Sequence, residues 1–172
     1  MDASYILPYI ESTKNVFETM LQLQVKTGRP KVEAAIPSES CDISGIIGMS
    51  GDVVGVTILR FPLQTAKGIV TRFVGMEMAE DSEDFGDAIG ELVNMVTGGA
   101  KAKFDGKAVS ISCPSVIVGA QHKVQQMSDA TPISIPCECE CGRFTVEVSI
   151  RENDERDPAQ TSRAVSDSVE GK

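Results

Sequence analysis

Asp84-Phe85-Gly86-Asp87-Ala88-Ile89-Gly90-Glu91-Leu92-Val93-Asn94-Met95-Val96-Thr97-Gly98-Gly99-Ala100-Lys101-Ala102-Lys103 is the stretch on which the reading of this chain turns. Its apolar residues Phe85, Ala88, Ile89, Leu92, Val96 and Ala100 recur at three and four positions, which predicts an amphipathic helix. The opposite stripe, Asp87, Gly90, Glu91, Asn94, Gly98 and Lys101, keeps the same spacing with an unusual composition. Asn94 falls mid-helix, where its side chain competes for backbone hydrogen bonds. Gly90 and Gly98 lie one turn to either side of it, each costing about 1 kcal/mol against alanine. Glu91 precedes Asn94 by three residues, so carboxylate and amide share one surface. Such a face reads in one of two ways. It is a solvated surface whose glycines pack inside the same fold, or a site shaped to admit another molecule's backbone.

Working outward, Met76 to Glu83 is acidic through Glu77, Glu80, Asp81 and Glu83. Asp81, Ser82 or Asp84 there can cap the helix, with negative charge at the positive end of its dipole. Before it, a second helix is predicted from Phe61 or Pro62 to Val74, with Leu63, Ala66, Ile69, Val70 and Phe73 as its core stripe. Cys41 to Met49 and Val53 to Leu59 are β-branched apolar runs around Ser50-Gly51-Asp52, a hairpin signature. Lys26 to Pro37 contains Gly28 and Pro30, so a strand there is irregular or lies at an edge.

The first helix is predicted over Ser4 to Gln24, with Ile6, Ile10, Val16, Phe17, Met20 and Leu21 facing the core and Pro8 confined to the first turn. Glu11 and Asn15 on it are four residues apart rather than three, and read as surface. After the central helix, Ala108 to Val118 reads as a strand interrupted by Pro114. Ile133 to Pro136, Cys137 to Cys141 and Arg143 to Ile150 read as a closing hairpin around Gly142. The order of elements gives an α+β fold, a single domain over residues 1–150 with a mostly antiparallel sheet and long helices packed on it. Residues 151–172 turn to Arg, Glu, Asn, Asp, Pro, Gln, Thr and Ser and read as a disordered tail.

Composition removes several classes of function. A formal net charge of -9 opposes binding to a phosphate backbone, and the absence of tryptophan leaves few stacking platforms, so no nucleic-acid partner is expected. No apolar run approaches the roughly 20 residues of a membrane span, and the acidic start Met1-Asp2-Ala3-Ser4 lacks a signal-peptide pattern. With five cysteines, an odd number, the chain fits a reducing, cytoplasmic setting without a membrane partner.

Cys137-Glu138-Cys139-Glu140-Cys141 puts three thiols on alternate residues, with Cys113 or Cys41 as a conceivable fourth ligand. Structural zinc sites use turn-forming C-x₂₋₄-C pairs instead, and alternate positions on a strand spread the sulfurs too far. These cysteines therefore read as small apolar residues, with the two glutamates facing solvent. His122, the only histidine, has no second histidine to support a metal role. Gly98-Gly99 lacks the Lys-Ser/Thr of a phosphate-binding loop, and no G-x-S-x-G occurs. No metal site and no cofactor of the chain's own are expected.

Gly90-Glu91-Leu92-Val93-Asn94-Met95-Val96-Thr97-Gly98, followed by Ala100-Lys101, resembles the E-x-x-N helix of the CheC/CheX/FliY chemotaxis phosphatases, and of CheX in particular. The string G-E-L-x-N-M-[VI]-x-G-x-A-K is far more specific than E-x-x-N alone, and similarity of pattern extends from the helix around Tyr5 to the hairpin ending near Ile150. CheC-type members commonly carry two E-x-x-N sites, whereas one is visible here, which favours CheX. The resemblance implies a phosphatase that removes the phosphoryl group from the aspartate of a CheY-type response regulator. Asn94 would orient the attacking water and Glu91 would pair with a lysine of the partner's site, with Asp87, Gly90, Gly98 and Lys101 at the partner interface. It also implies Mg2+ in the partner's site rather than in this chain, and a homodimer. The reading from a different class is a non-catalytic module of the same fold in a signalling or flagellar switch assembly.

Overall fold

The computed structural model describes residues 3–32, 41–122, 124 and 130–153. A 3-10 turn at Ala3–Tyr5 leads into α1 (Ile6–Leu21), followed by two short strands, β1 (Lys26–Thr27) and β2 (Lys31–Val32). The hairpin β3 (Cys41–Gly51) and β4 (Val53–Phe61) precedes α2 (Leu63–Val74) and α3 (Glu83–Lys101). The chain then returns to the sheet as β5 (Val109–Ile111), β6 (Ser115–His122), β7 (Ile133–Cys139) and β8 (Gly142–Glu152). The sheet runs β1-β7-β8-β4-β3-β5, with β2 also on β7 and β6 also on β3, and every pairing is antiparallel.

The predicted elements and the α+β class are all present, with adjusted ends. The tight β3–β4 turn uses Gly51 at φ +115°, where a β-carbon would collide with the Ala108 carbonyl. Gly28 and Pro30 limit β1 and β2 to two residues each at the sheet edge. Pro114 separates β5 from β6, as its missing donor requires. The final strand continues past Ile150 to Glu152, and the expected tail from 154 onward lies outside the described residues. Cys141 is not on a strand: β7 ends at Cys139, and Glu140 and Cys141 form the turn.

Period-two alternation gives the sheet two different faces. Ile43, Ile47, Leu59, Phe61, Val146 and Val148 enter one core with the buried sides of the helices. Each fully buried side chain of this size contributes about 1.5–3 kcal/mol. Phe144 stacks on Phe17 of α1 with centroids 4.8 Å apart, joining the first helix to the last strand. On the first helix Met20 is 46% exposed, contrary to the predicted stripe, whereas Tyr9 is fully buried. Burial of Tyr9 is tolerable because its hydroxyl meets Thr57 Oγ1 at 2.6 Å.

On the reverse face, Arg60 and Glu147 form a buried ion pair at 2.8 Å, and the Arg60 guanidinium also donates to the Val124 carbonyl. His122 Nδ1 donates to the Gly119 carbonyl at 2.8 Å, and its Nε2 is hydrogen-bonded to Ser44 Oγ, also at 2.8 Å. Asp42, on the same strand as Ser44, receives the N–H of Leu63 at the start of α2 and that of Gln121. Those two donors hold its carboxyl below the usual carboxylate range.

Candidate active site

Three contacts fix α3 in place. Ser82 is its N-cap, accepting from the Phe85 N–H at 3.2 Å, and Glu83 and Asp84 follow in the first turn with Lys101 in the last. Gly45 of β3 lets the helix approach the sheet: a β-carbon there would lie 3.2 Å from Val93 Cγ1 and 3.3 Å from Ile89 Cγ2. Gly99 does the same for α1, because a β-carbon there would overlap Ser12 Oγ, which donates to the Val96 carbonyl at 2.7 Å. Phe85, Ala88, Ile89, Leu92, Val96 and Ala100 are all buried, as are Val93 and Thr97, which the stripe of apolar residues omitted.

What remains outside is the polar stripe. Asp87 and Glu91 are exposed, and Asn94, Gly98 and Lys101 are half-buried. Among the described residues, none of the side chains of Asp87, Glu91, Asn94 and Lys101 has a hydrogen-bond or ion-pair partner. Carboxylate and amide therefore stand on one helix, one turn apart, with their hydrogen-bonding groups uncommitted among the described residues.

The two glycines flanking Asn94 differ. Nothing lies within 4 Å of a β-carbon built on Gly98, so that side of Asn94 is open. Gly90 corrects the expectation of an opening for a partner's backbone: it is buried, and a β-carbon there would sit 3.2 Å from Pro114 Cγ. The missing side chain makes room for the chain's own β5–β6 connection. That contact joins residues far apart in sequence and leaves no local signal.

The Glu91–Asn94 ridge lies between two grooves. One, of about 590 Å³, is lined by Asp87, Gly90, Glu91, Pro114 and Val116. The other, of about 450 Å³, lies between α1 and α3 and includes Asn15, Asn94, Gly98 and Lys103. Asn15, read from sequence as plain surface, thus shares a groove with Asn94. The mid-helix placement of an asparagine was the available signal, and the four-residue spacing from Glu11 obscured it.

Other sequence candidates lie elsewhere. Cys137 is buried in the core, and that burial pushes its thiol up to about 12. Burial also raises the Cys141 thiol, so these groups stay protonated and behave as packing atoms. Among the described residues no three His, Cys, Asp or Glu side chains are grouped to hold a metal ion. No described helix is long and apolar enough to cross a membrane.

An antiparallel sheet with three helices packed on it is the architecture of the CheC/CheX-like class, and comparison with known proteins agrees. A CheC-like superfamily protein from Shewanella sp. PV-4 superposes with a TM-score of 0.80 at 30% identity, over 88% of this chain and 99% of its own. Over 128 residues the chain is 32% identical to the CheY-P phosphatase CheX of Thermotoga maritima, across 73% of this chain and 82% of the relative. The model of the chemotaxis phosphatase CheX family matches residues 43–138, and the chain belongs to that family. The CheX–CheY–BeF3–Mg2+ complex from Borrelia burgdorferi shares the fold, with a TM-score of 0.71 at 22% identity over 86% of this chain and 98% of that one.

Proposed function

We propose that this chain hydrolyses the aspartyl phosphate of a CheY-type response regulator by inserting the Glu91–Asn94 ridge of α3 into the regulator's active site. The observation that carries the reading is a carboxylate and an amide without partners among the described residues, one turn apart on a helix clamped by both sheet and α1. Phosphoryl transfer leaves a protein mainly positioning and electrostatics to supply. The Asn94 carbonyl oxygen accepts a hydrogen bond from the attacking water and holds it in line, without adding negative charge beside the phosphoryl group. A carboxylate at that position would repel the group. Glu91, one turn away, pairs with a cationic side chain of the regulator and sets the depth and angle of insertion. Asp87, Gly98 and Lys101 border the same contact surface, and Gly90 supports it from inside by seating Pro114.

The chain brings no cofactor of its own to this reaction. A divalent ion in the regulator's site would supply charge neutralisation of the phosphoryl oxygens, and the Borrelia burgdorferi complex contains Mg2+. A cytoplasmic location follows from such a substrate. We also propose a homodimer, supported by β6, whose only strand partner among the described residues is β3 and which exposes Ile117 (38%) and Val118 (43%). The direct test is the decay of a phosphorylated receiver domain with and without the protein. Faster decay with the parent chain, lost with Asn94→Ala, supports the reading; equal decay in all three samples overturns it.

A further inference from the structure

Asparagine is a poor residue for a helix interior, and this chain has three: Asn15, Asn94 and Asn153. Two of them are inside helices, Asn15 in α1 and Asn94 in α3, and both line the same groove. Asn15 stands well within Ile6–Leu21 and caps neither end. Its side chain is exposed and meets no hydrogen-bond partner among the described residues. Its neighbours on α1 are engaged. Ser12 donates to the Val96 carbonyl at 2.7 Å, and Glu11 is paired with Lys103 at 2.6 Å. That second contact removes Glu11 as a second carboxylate partner for an amide and neutralises the one cation on the groove wall. Among the described residues, what the groove offers is two free amides, the open space beside Gly98, and no unpaired charge.

Two neutral amides suit one class of occupant. Each supplies a carbonyl acceptor and two N–H donors, the complement of a peptide group's own donor and acceptor. A phosphate or metal ion would call for charge here; a segment of main chain does not. We infer that the groove between α1 and α3 seats a backbone loop of the receiver domain, and that Asn15 is a positioning residue that holds this loop while Asn94 reaches the phosphoryl centre. The inference rests on the phosphatase reading of Asn94 and adds the partner contact on α1.

Since Asn15 touches the loop and not the reacting atoms, its removal weakens binding of ground and transition states alike. Asn15→Ala should raise KM for the phosphorylated receiver about three- to tenfold, the loss of one or two neutral hydrogen bonds. The fall in kcat/KM should be carried by KM. The Kd for a beryllofluoride-treated receiver domain should rise by the same factor, with an unchanged or slightly raised melting temperature because alanine is the better helix former. Gly98→Met, which fills the groove from the other helix, should raise the same Kd. If Asn15→Ala and Gly98→Met both bind the receiver like the parent while Asn94→Ala abolishes turnover, the inference is overturned and the phosphatase reading stands. If the parent neither binds nor dephosphorylates the receiver, both are overturned.

Discussion

On the reverse face of the sheet Arg60 is held by Glu147 and the Val124 carbonyl, and His122 by Ser44 and the Gly119 carbonyl; on α3, Glu91 and Asn94 hold nothing among the described residues. In the first cluster Arg60, Glu147 and Ser44 are buried, where a polar group left without a partner costs several kcal/mol, so each needs a complement within the chain, and His122 is half-buried beside them. The second is at the surface, where water supplies the complement until something displaces it. Polar residues that satisfy one another tie strands together and have little left for a ligand. Polar residues kept apart on a rigid helix contribute little to stability and can be lent whole to a partner.

That contrast can be broken from either side. The largest effect on stability is expected for Glu147→Ala, which strands the buried Arg60 guanidinium: a loss of about 3–5 kcal/mol, seen as a lowered urea midpoint, with phosphatase turnover per folded molecule retained. Asn94→Ala should do the reverse, lowering turnover on the order of a hundredfold, the scale for removing one oriented polar group from a transition state. Its melting temperature should be the same or slightly higher. A parent-like decay rate for the phosphorylated receiver would refute its role. Glu91→Ala comes next, removing a charge-assisted contact of about 1.5–3 kcal/mol; titration of a beryllofluoride-treated receiver should show roughly tenfold to hundredfold weaker binding.

The two glycines sharpen the comparison within α3 itself. Gly90→Leu drives a side chain into Pro114 and should destabilise by about 1–3 kcal/mol. Gly98→Ala meets no atom and should stabilise by up to about 1 kcal/mol through helix propensity. Calorimetric melts of the two variants that moved in the same direction would show that the helix surroundings are misassigned.

The difference between those glycines marks where sequence reading ends. Periodicity identifies the buried side of α3, and Ser50-Gly51-Asp52 announces the β3–β4 turn, because both signals are local. That Gly90 faces Pro114 and Gly98 faces open space depends on the β5–β6 connection crossing one end of the helix and not the other. Tyr9 is buried and Met20 exposed for a related reason. The partner that makes Tyr9 tolerable, Thr57, lies on β4 and is brought to it only by folding. Cys141 is displaced from its strand by the two-residue turn at Glu140 and Cys141, which alternation alone does not reveal. That Glu91 and Asn94 are neighbours on one face was legible because they lie within one turn of one helix. That Asn15 shares a groove with Asn94 was not, because the groove needs two helices that are separated by the whole β3–β4 hairpin and α2.

The seating of α1 has a consequence for how the molecule forms. Phe17 stacks on Phe144, and the Tyr5 hydroxyl donates to Glu152 Oε1 at 2.6 Å, so the first helix docks on the last strand. Contacts so distant along the chain are slow to close, since the loop-closure entropy is lost before the contact forms. During synthesis the N-terminal helix meets β4 and α3 as they appear, through Tyr9 with Thr57 and Ser12 with the Val96 carbonyl, but Phe17 and Tyr5 find their partners only once β8 has left the ribosome. The last of the described strands therefore completes the seating of the first helix made, and the two are locked together late.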